Sequence, residues 1–112
     1  MRRMPDTTPS DWIDVGAADA VTESEPLSTE VDGYPIVIAR CGADLFAVED
    51  RCTHDGESLS GAEVESCEII CPRHAARFSL RTGEALTPPA YEPLRTFNVR
   101  LTQGRILVER PD

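Results

Sequence analysis

The chain has 112 residues, enough for one hydrophobic core and too few for two independent ones. Hydrophobic residues make up 40% and aromatics 5%, with Pro 9 and Gly 7, a balance that suits short strands joined by turns better than a few long helices. Lys+Arg total 11 against Asp+Glu 20, and the resulting net charge of −9 disfavours nucleic-acid phosphates and anionic lipid headgroups as partners, leaving solubility or steering toward a basic protein as the uses of the acidity.

Residues 1–10, MRRMPDTTPS, are polar and contain no apolar core of a signal peptide, and nowhere do about 20 apolar residues run together. We therefore expect a disordered tail over 1–10, one domain over 11–110, and a soluble, monomeric, cytoplasmic protein. Asp11 to Val15 begins the domain, with Trp12 and Ile13 as its first apolar anchors. The stretch from Ala17 to Glu23 reads as a loop or a single helical turn.

From Pro26 the pattern is a hairpin, with a polar strand through Val31, Asp32-Gly33 at the turn, and a buried strand over Tyr34 to Ala39. Cys41 to Asp44 makes the next turn, and the strand Leu45 to Val48 ends just before Cys52. A second hairpin is expected from Ala62 to Glu65, through Ser66-Cys67, to Glu68-Ile69-Ile70 and then Cys71. Phe78-Ser79-Leu80 leads into Thr82-Gly83, Thr87-Pro88-Pro89-Ala90 forms a stiff loop, and Leu94 to Arg100 pairs with Ile106 to Glu109 in a closing hairpin around Gln103-Gly104. The pattern predicts an all-β domain.

The decisive motif is Cys52-Thr53-His54, then residues 55–70, then Cys71-Pro72-Arg73-His74. Two thiolates and two imidazoles on two short loops are what an asymmetric [2Fe–2S] cluster needs, with both cysteines on one iron and both histidines on the other. Neutral imidazoles leave their iron less negative, so that iron is the easier one to reduce and the potential lies above that of an all-Cys cluster. The chain has His 2 in total, and each follows a Cys by two or three positions, which argues against coincidence. Tetrahedral Zn²⁺ also accepts Cys₂His₂ sets, but its usual spacing groups like ligands, whereas here Cys and His alternate. The C-x₄-C-x₂-C spacing of plant-type ferredoxins is not matched by Cys41, Cys52, Cys67 and Cys71. Cys41 and Cys67 fall at predicted turns and are expected as free thiols outside the site.

The stretch CTHDGESLSGAEVESCEIICPRHAARFSLRTGEALTPPA resembles the cluster-binding region of Rieske-type ferredoxins, the electron-carrying components of bacterial ring-hydroxylating dioxygenases, and the resemblance runs from about Trp12 to Val108. It implies stacked antiparallel sheets carrying a small cluster-binding subdomain of two ligand loops. It also implies one [2Fe–2S] cluster per chain held by Cys52, His54, Cys71 and His74, and it marks Thr87 to Ala90 as the family's proline loop over the cluster. High-potential relatives carry an extra, disulfide-forming Cys in each ligand loop, where this chain has Glu57 and Arg73. They place Ser and Tyr hydroxyls against the sulfurs, where it has Ala76 and Phe78; hydrogen bonds to sulfur favour the more negative reduced state, so their loss implies a low potential. The family usually has Gly after the second His, and here Ala75 stands there, at a cost of about 1 kcal/mol if the loop needs positive φ. Arg73 and Arg77 flank the second loop, available to offset cluster charge, to meet an acidic partner or to face water.

The function implied is electron transfer from an NAD(P)H-dependent reductase to a terminal non-haem iron oxygenase, with no bond chemistry catalysed by the carrier itself. The rivals are a Rieske protein serving Fe–S assembly, the small subunit of an assimilatory nitrite reductase, and a zinc-stapled binding module.

Overall fold

The Asp-Gly hairpin forms as its sequence requires. β1 spans Trp12–Ala17, and β2 (Leu27–Val31) then pairs antiparallel with β3 (Tyr34–Cys41), from Leu27↔Ile38 to Val31↔Tyr34. Asp32 and Gly33 between them have φ of 52° and 83°, the left-handed pair that a tight two-residue turn demands. The computed structural model describes residues 11–53, 56, 58–59, 61–72, 75–88, 90 and 92–110. The tail expected over 1–10 lies outside the described residues, as do Glu57, Arg73 and Pro89.

Eight further segments follow among the described residues. A single 3-10 turn at Ala18–Ala20 occupies the stretch read as a loop or one turn, and Arg40 secures it by donating from Nε to the Val21 carbonyl at 2.8 Å and from its guanidinium to the Ala18 carbonyl at 3.0 Å. β4 (Asp44–Glu49) is followed by the short strands β5 (Glu63–Glu65), β6 (Glu68–Ile70), β7 (Arg77–Ser79) and β8 (Thr96–Phe97), and then by β9 (Val99–Thr102) and β10 (Arg105–Glu109). They assemble as three antiparallel sheets of order β1-β10-β9, β2-β3-β4-β8 and β5-β6-β7. Among the described residues no helix is long and apolar enough to cross a membrane.

β3 divides the interior. Its successive residues Ile36, Val37, Ile38 and Ala39 are all buried, and strand side chains alternate in direction. Ile36 and Ile38 join Val21, Val31, Ala47, Ile106 and Val108 in a base core under the β1-β10-β9 sheet. Val37 and Ala39 join Val48, Cys52, Leu59, Ile69, Cys71 and Phe78 in a second core on the side of the β5-β6-β7 sheet. A continuous apolar run, rather than an alternating one, is the mark of a strand covered on both faces. β4 repeats the division, with Leu45 and Ala47 on the base side and Phe46 and Val48 on the other.

Two expectations need correction. The strand expected over Leu94 to Arg100 is two strands in two sheets: β8 pairs with β4, whereas β9 pairs with β10. The change of sheet falls at Asn98, whose carbonyl accepts from the Glu109 N–H at 3.0 Å and whose amide donates to the Glu109 carboxylate at 2.8 Å. A corner of this kind needs a residue whose side chain bonds to backbone or neighbours in place of the ladder, and Asn does so. Cys41 and Cys67, expected as free thiols, form a disulfide with a Cα–Cα distance of 5.3 Å. Each does sit at a turn, as its sequence indicates, but stacking the β2-β3-β4-β8 sheet on β5-β6-β7 brings those two turns to one edge.

Candidate metal centre

Each of the two strands delivers a cysteine into a turn of the same design. Beyond β4, Cys52 opens a five-residue turn in which the Gly56 N–H donates to the Cys52 carbonyl at 2.7 Å. Beyond β6, Cys71 opens another, in which the Ala75 N–H donates to the Cys71 carbonyl at 2.9 Å. Each turn ends on a left-handed residue, Gly56 at φ 76° and Ala75 at φ 58°. The Cys71 N–H returns to the Ala76 carbonyl at 2.8 Å, so the second turn is closed from both directions.

Both sulfur-bearing residues are inside: Cys52 is 0% and Cys71 1% exposed, and both belong to the second core with Leu59, Ile69, Ala76, Phe78 and Leu80. With Cys41 and Cys67 consumed by the disulfide, these are the two cysteines that the motif nominates. The sequence places His54 within the first turn and His74 within the second, and both histidines lie outside the described residues.

Hydrogen bonds that the sequence did not disclose hold the turns. The Asp50 carboxylate accepts from the Leu59 N–H at 2.6 Å and from the Ser58 hydroxyl at 2.9 Å, while the Asp50 N–H donates to the Pro35 carbonyl at 2.9 Å. The Asp50 side chain thus draws together both ends of the first loop, and its backbone N–H fixes them to β3. Thr53, between Cys52 and His54, donates its hydroxyl to the Glu92 carbonyl at 2.7 Å. On the other side, the Arg77 N–H donates to the Thr87 hydroxyl at 2.9 Å and the Leu86 N–H to the Arg77 carbonyl at 2.8 Å. The segment carrying Thr87 and Pro88 is therefore anchored to the second turn before it and to the first turn after it. The available signal was an acidic residue two positions before a candidate ligand, which is too common to be diagnostic.

Arg77 bridges Glu65 at 2.6 Å and Glu68 at 3.0 Å across β5, β6 and β7. The hydrogen bond to Glu65, then that to Glu68, raises its guanidinium above the ordinary arginine value, so it is a permanent cation committed to its own sheet. Ala76 and Phe78 are both fully buried, and Phe78 faces Ile69 across the β6–β7 pair.

The Rieske [2Fe-2S] domain profile matches residues 11–98. This chain belongs to the Rieske family. It is 35% identical over 105 residues to the anthranilate 1,2-dioxygenase ferredoxin subunit of Burkholderia cepacia, an alignment covering 94% of this chain and 97% of that one. The ferredoxin of carbazole 1,9a-dioxygenase from Nocardioides aromaticivorans superposes with a TM-score of 0.84 at 29% identity, over 89% of this chain and 98% of that one. A solved complex of oxygenase and ferredoxin of carbazole 1,9a-dioxygenase contains a chain matching at TM-score 0.81 and 31% identity, over 88% of this chain and 93% of that one. Its relatives are electron-carrying components of dioxygenase systems, and the cofactor of a Rieske domain is a [2Fe–2S] cluster. The residues present fit that group: two buried thiols at the heads of matched turns, in one apolar core, are a soft donor pair sheltered from water.

Proposed function

We propose that this Rieske protein is a one-electron carrier, with Cys52 and Cys71 holding one iron of the cluster and His54 and His74 the other. The observation that carries the reading is the pair of matched turns, each opening on a buried cysteine and each containing a motif histidine by sequence. A [2Fe–2S] cluster supplies reversible one-electron chemistry when bound. The chain's own contribution is to fix the donors and their surroundings. The buried cysteines set the sulfur pair in the apolar core, Asp50 and Thr53 hold the first loop in place, and Leu59, Ile69, Phe78 and Leu80 exclude water from the sulfur side.

The electron acceptor in this reading is the terminal non-haem iron oxygenase of a ring-hydroxylating system, and the donor is an NAD(P)H-dependent reductase. What supports it is the near full-length similarity to ferredoxin components and to a ferredoxin solved with its oxygenase. We assign the working location to the cytoplasm and the working unit to the monomer spanning residues 11–110. The test begins with metal and sulfide analysis of protein isolated anaerobically from iron-replete cells. Two irons and two acid-labile sulfides per chain are expected, and stoichiometric zinc without sulfide contradicts the reading. Stopped-flow oxidation of the reduced protein by a terminal oxygenase of a ring-hydroxylating system then tests the partner class, and failure to transfer electrons to it overturns that assignment.

A further inference from the structure

The Cys41–Cys67 disulfide lies outside the ligand motif, yet it encloses part of it. The two cysteines are 26 positions apart, and the ring they close contains Asp50, Cys52, His54 and Leu59, which is the whole first ligand loop and its anchor. The ring also crosses two layers, because Cys41 ends β3 and Cys67 sits in the β5–β6 turn.

We propose that Cys41 and Cys67 are a reversible thiol–disulfide staple, closed by a small disulfide of the glutathione type and opened by a dithiol, that slows loss of the cluster by confining the first ligand loop. The inference rests on the ligand assignment above. Four features of the site support it. The Cα–Cα distance of 5.3 Å is within the range a disulfide spans without backbone movement. Both cysteines are half-buried rather than sealed in a core, so small thiols and disulfides reach them, and accessible disulfides are the labile ones. The Arg81 guanidinium lies 3.7 Å from the Cys67 sulfur, held over the Phe46 ring at 5.2 Å and 3.9 Å from the Asp44 carboxylate. It is a ready counter-ion for an attacking thiolate. Finally, Ser66 and Cys67 form the β5–β6 turn with φ of 54° and 61°, positions where Asn-Gly is the easy choice. A cysteine placed there carries a conformational cost that bonding of its sulfur to Cys41 offsets.

The chemistry balances in two exchanges. The Cys67 thiolate attacks one sulfur of the small disulfide and displaces one small thiolate; the Cys41 thiolate then attacks Cys67 Sγ in the mixed disulfide and displaces the second. Two electrons pass from the cysteine pair to the small disulfide, and the two cysteine protons end on the two small thiols released. A dithiol reverses both steps.

Full-length protein with measured iron and sulfide is equilibrated with oxidised glutathione or with a phosphine reductant and desalted. Its thiols are mapped by alkylation and peptide mass, and it is then challenged with a ferrous chelator while the visible absorbance is followed. The oxidised sample is expected to pair Cys41 with Cys67 and to lose absorbance at least about threefold more slowly than the reduced sample. Cys41→Ser and Cys67→Ser variants should lose it at the reduced rate under both treatments. Equal rates in wild-type samples whose mapped thiols confirm the two states overturn the staple, as does failure of Cys41 and Cys67 to pair under oxidised glutathione. Iron and sulfide absent from freshly isolated protein overturn the ligand assignment on which it rests, a result read before any redox treatment.

Discussion

Ala75 and Gly56 occupy equivalent places, the left-handed ends of the turns that open on Cys71 and Cys52, with φ of 58° and 76°. An L-residue in this region costs about 1–2 kcal/mol, and glycine returns part of that through its larger unfolded-state entropy. Ala75→Gly should therefore stabilise the protein by about 0.5–1 kcal/mol, and Gly56→Ala should destabilise it by a similar amount. A Cβ at Gly56 meets nothing within 4 Å among the described residues, so backbone strain dominates that cost. Denaturant midpoints of the two variants check both signs, and an Ala75→Gly variant no more stable than wild type would show that the turn relaxes. The need for glycine here was readable from the sequence as a departure from the family pattern; the matching role of Gly56 required the two turns to be seen together. Ala76 and Phe78 are both 0% exposed, so hydroxyls introduced there must find an acceptor or cost about 1–3 kcal/mol. If the acceptors are cluster and ligand sulfurs, the Ala76→Ser, Phe78→Tyr double variant should raise the midpoint potential by some tens of millivolts, up to about 100 mV. Protein-film voltammetry reads the sign, and an unchanged or lowered potential means the hydroxyls do not reach sulfur.

The elements close on one another through one glycine above all. Gly83 follows β7 with φ 82°, its N–H donates to the Ser79 carbonyl at 2.7 Å, and its carbonyl receives the Leu94 N–H at 2.7 Å. A Cβ built there would clash with the Leu94 backbone oxygen. Gly83→Ala must therefore push the 92–95 segment away from the turn after β7, and with it the Glu92 carbonyl that Thr53 grips. The expected loss is more than about 3 kcal/mol, visible as a much lower denaturant midpoint, whereas a loss under about 1 kcal/mol would mean the approach is not needed. Local patterning made the hairpins legible, because Asp32-Gly33, the Ser66-Cys67 turn and the apolar run of β3 are contained within a few residues. What escaped was set by long-range stacking. The single strand expected over Leu94 to Arg100 divides at Asn98 because its two halves serve different layers. The Cys41–Cys67 bond joins turns that are adjacent only once those layers are stacked. Judging the cysteines from an assumed reducing compartment favoured free thiols over geometry. Closing a ring of that length contributes about 3–4 kcal/mol in the chain-entropy picture, an element-scale gain that local patterns do not reveal.

At the scale of the whole molecule, two cores back to back on the β2-β3-β4-β8 sheet separate a base from the side that carries Cys52 and Cys71. On the surface, arginines are bound to neighbouring carboxylates, Arg105 to Asp14 at 3.0 Å and Arg110 to Asp32 at 2.8 Å, and the net charge of −9 leaves a large acidic excess. Such a field speeds encounter with a basic docking face, and screening shortens its reach from about 30 Å at 0.01 M salt to about 8 Å at 0.15 M. Electron-transfer association rates with the oxygenase should fall across that range; flat stopped-flow rates would assign the acidity to solubility alone. In the proposed reading Cys52, His54, Cys71 and His74 share one asymmetric cluster. Pulsed electron paramagnetic resonance of the dithionite-reduced protein tests it most directly. Couplings from two histidine nitrogens to the reduced centre are expected, one of which disappears in His54→Cys and one in His74→Cys protein that retains its cluster. A reduced centre without nitrogen coupling would contradict it.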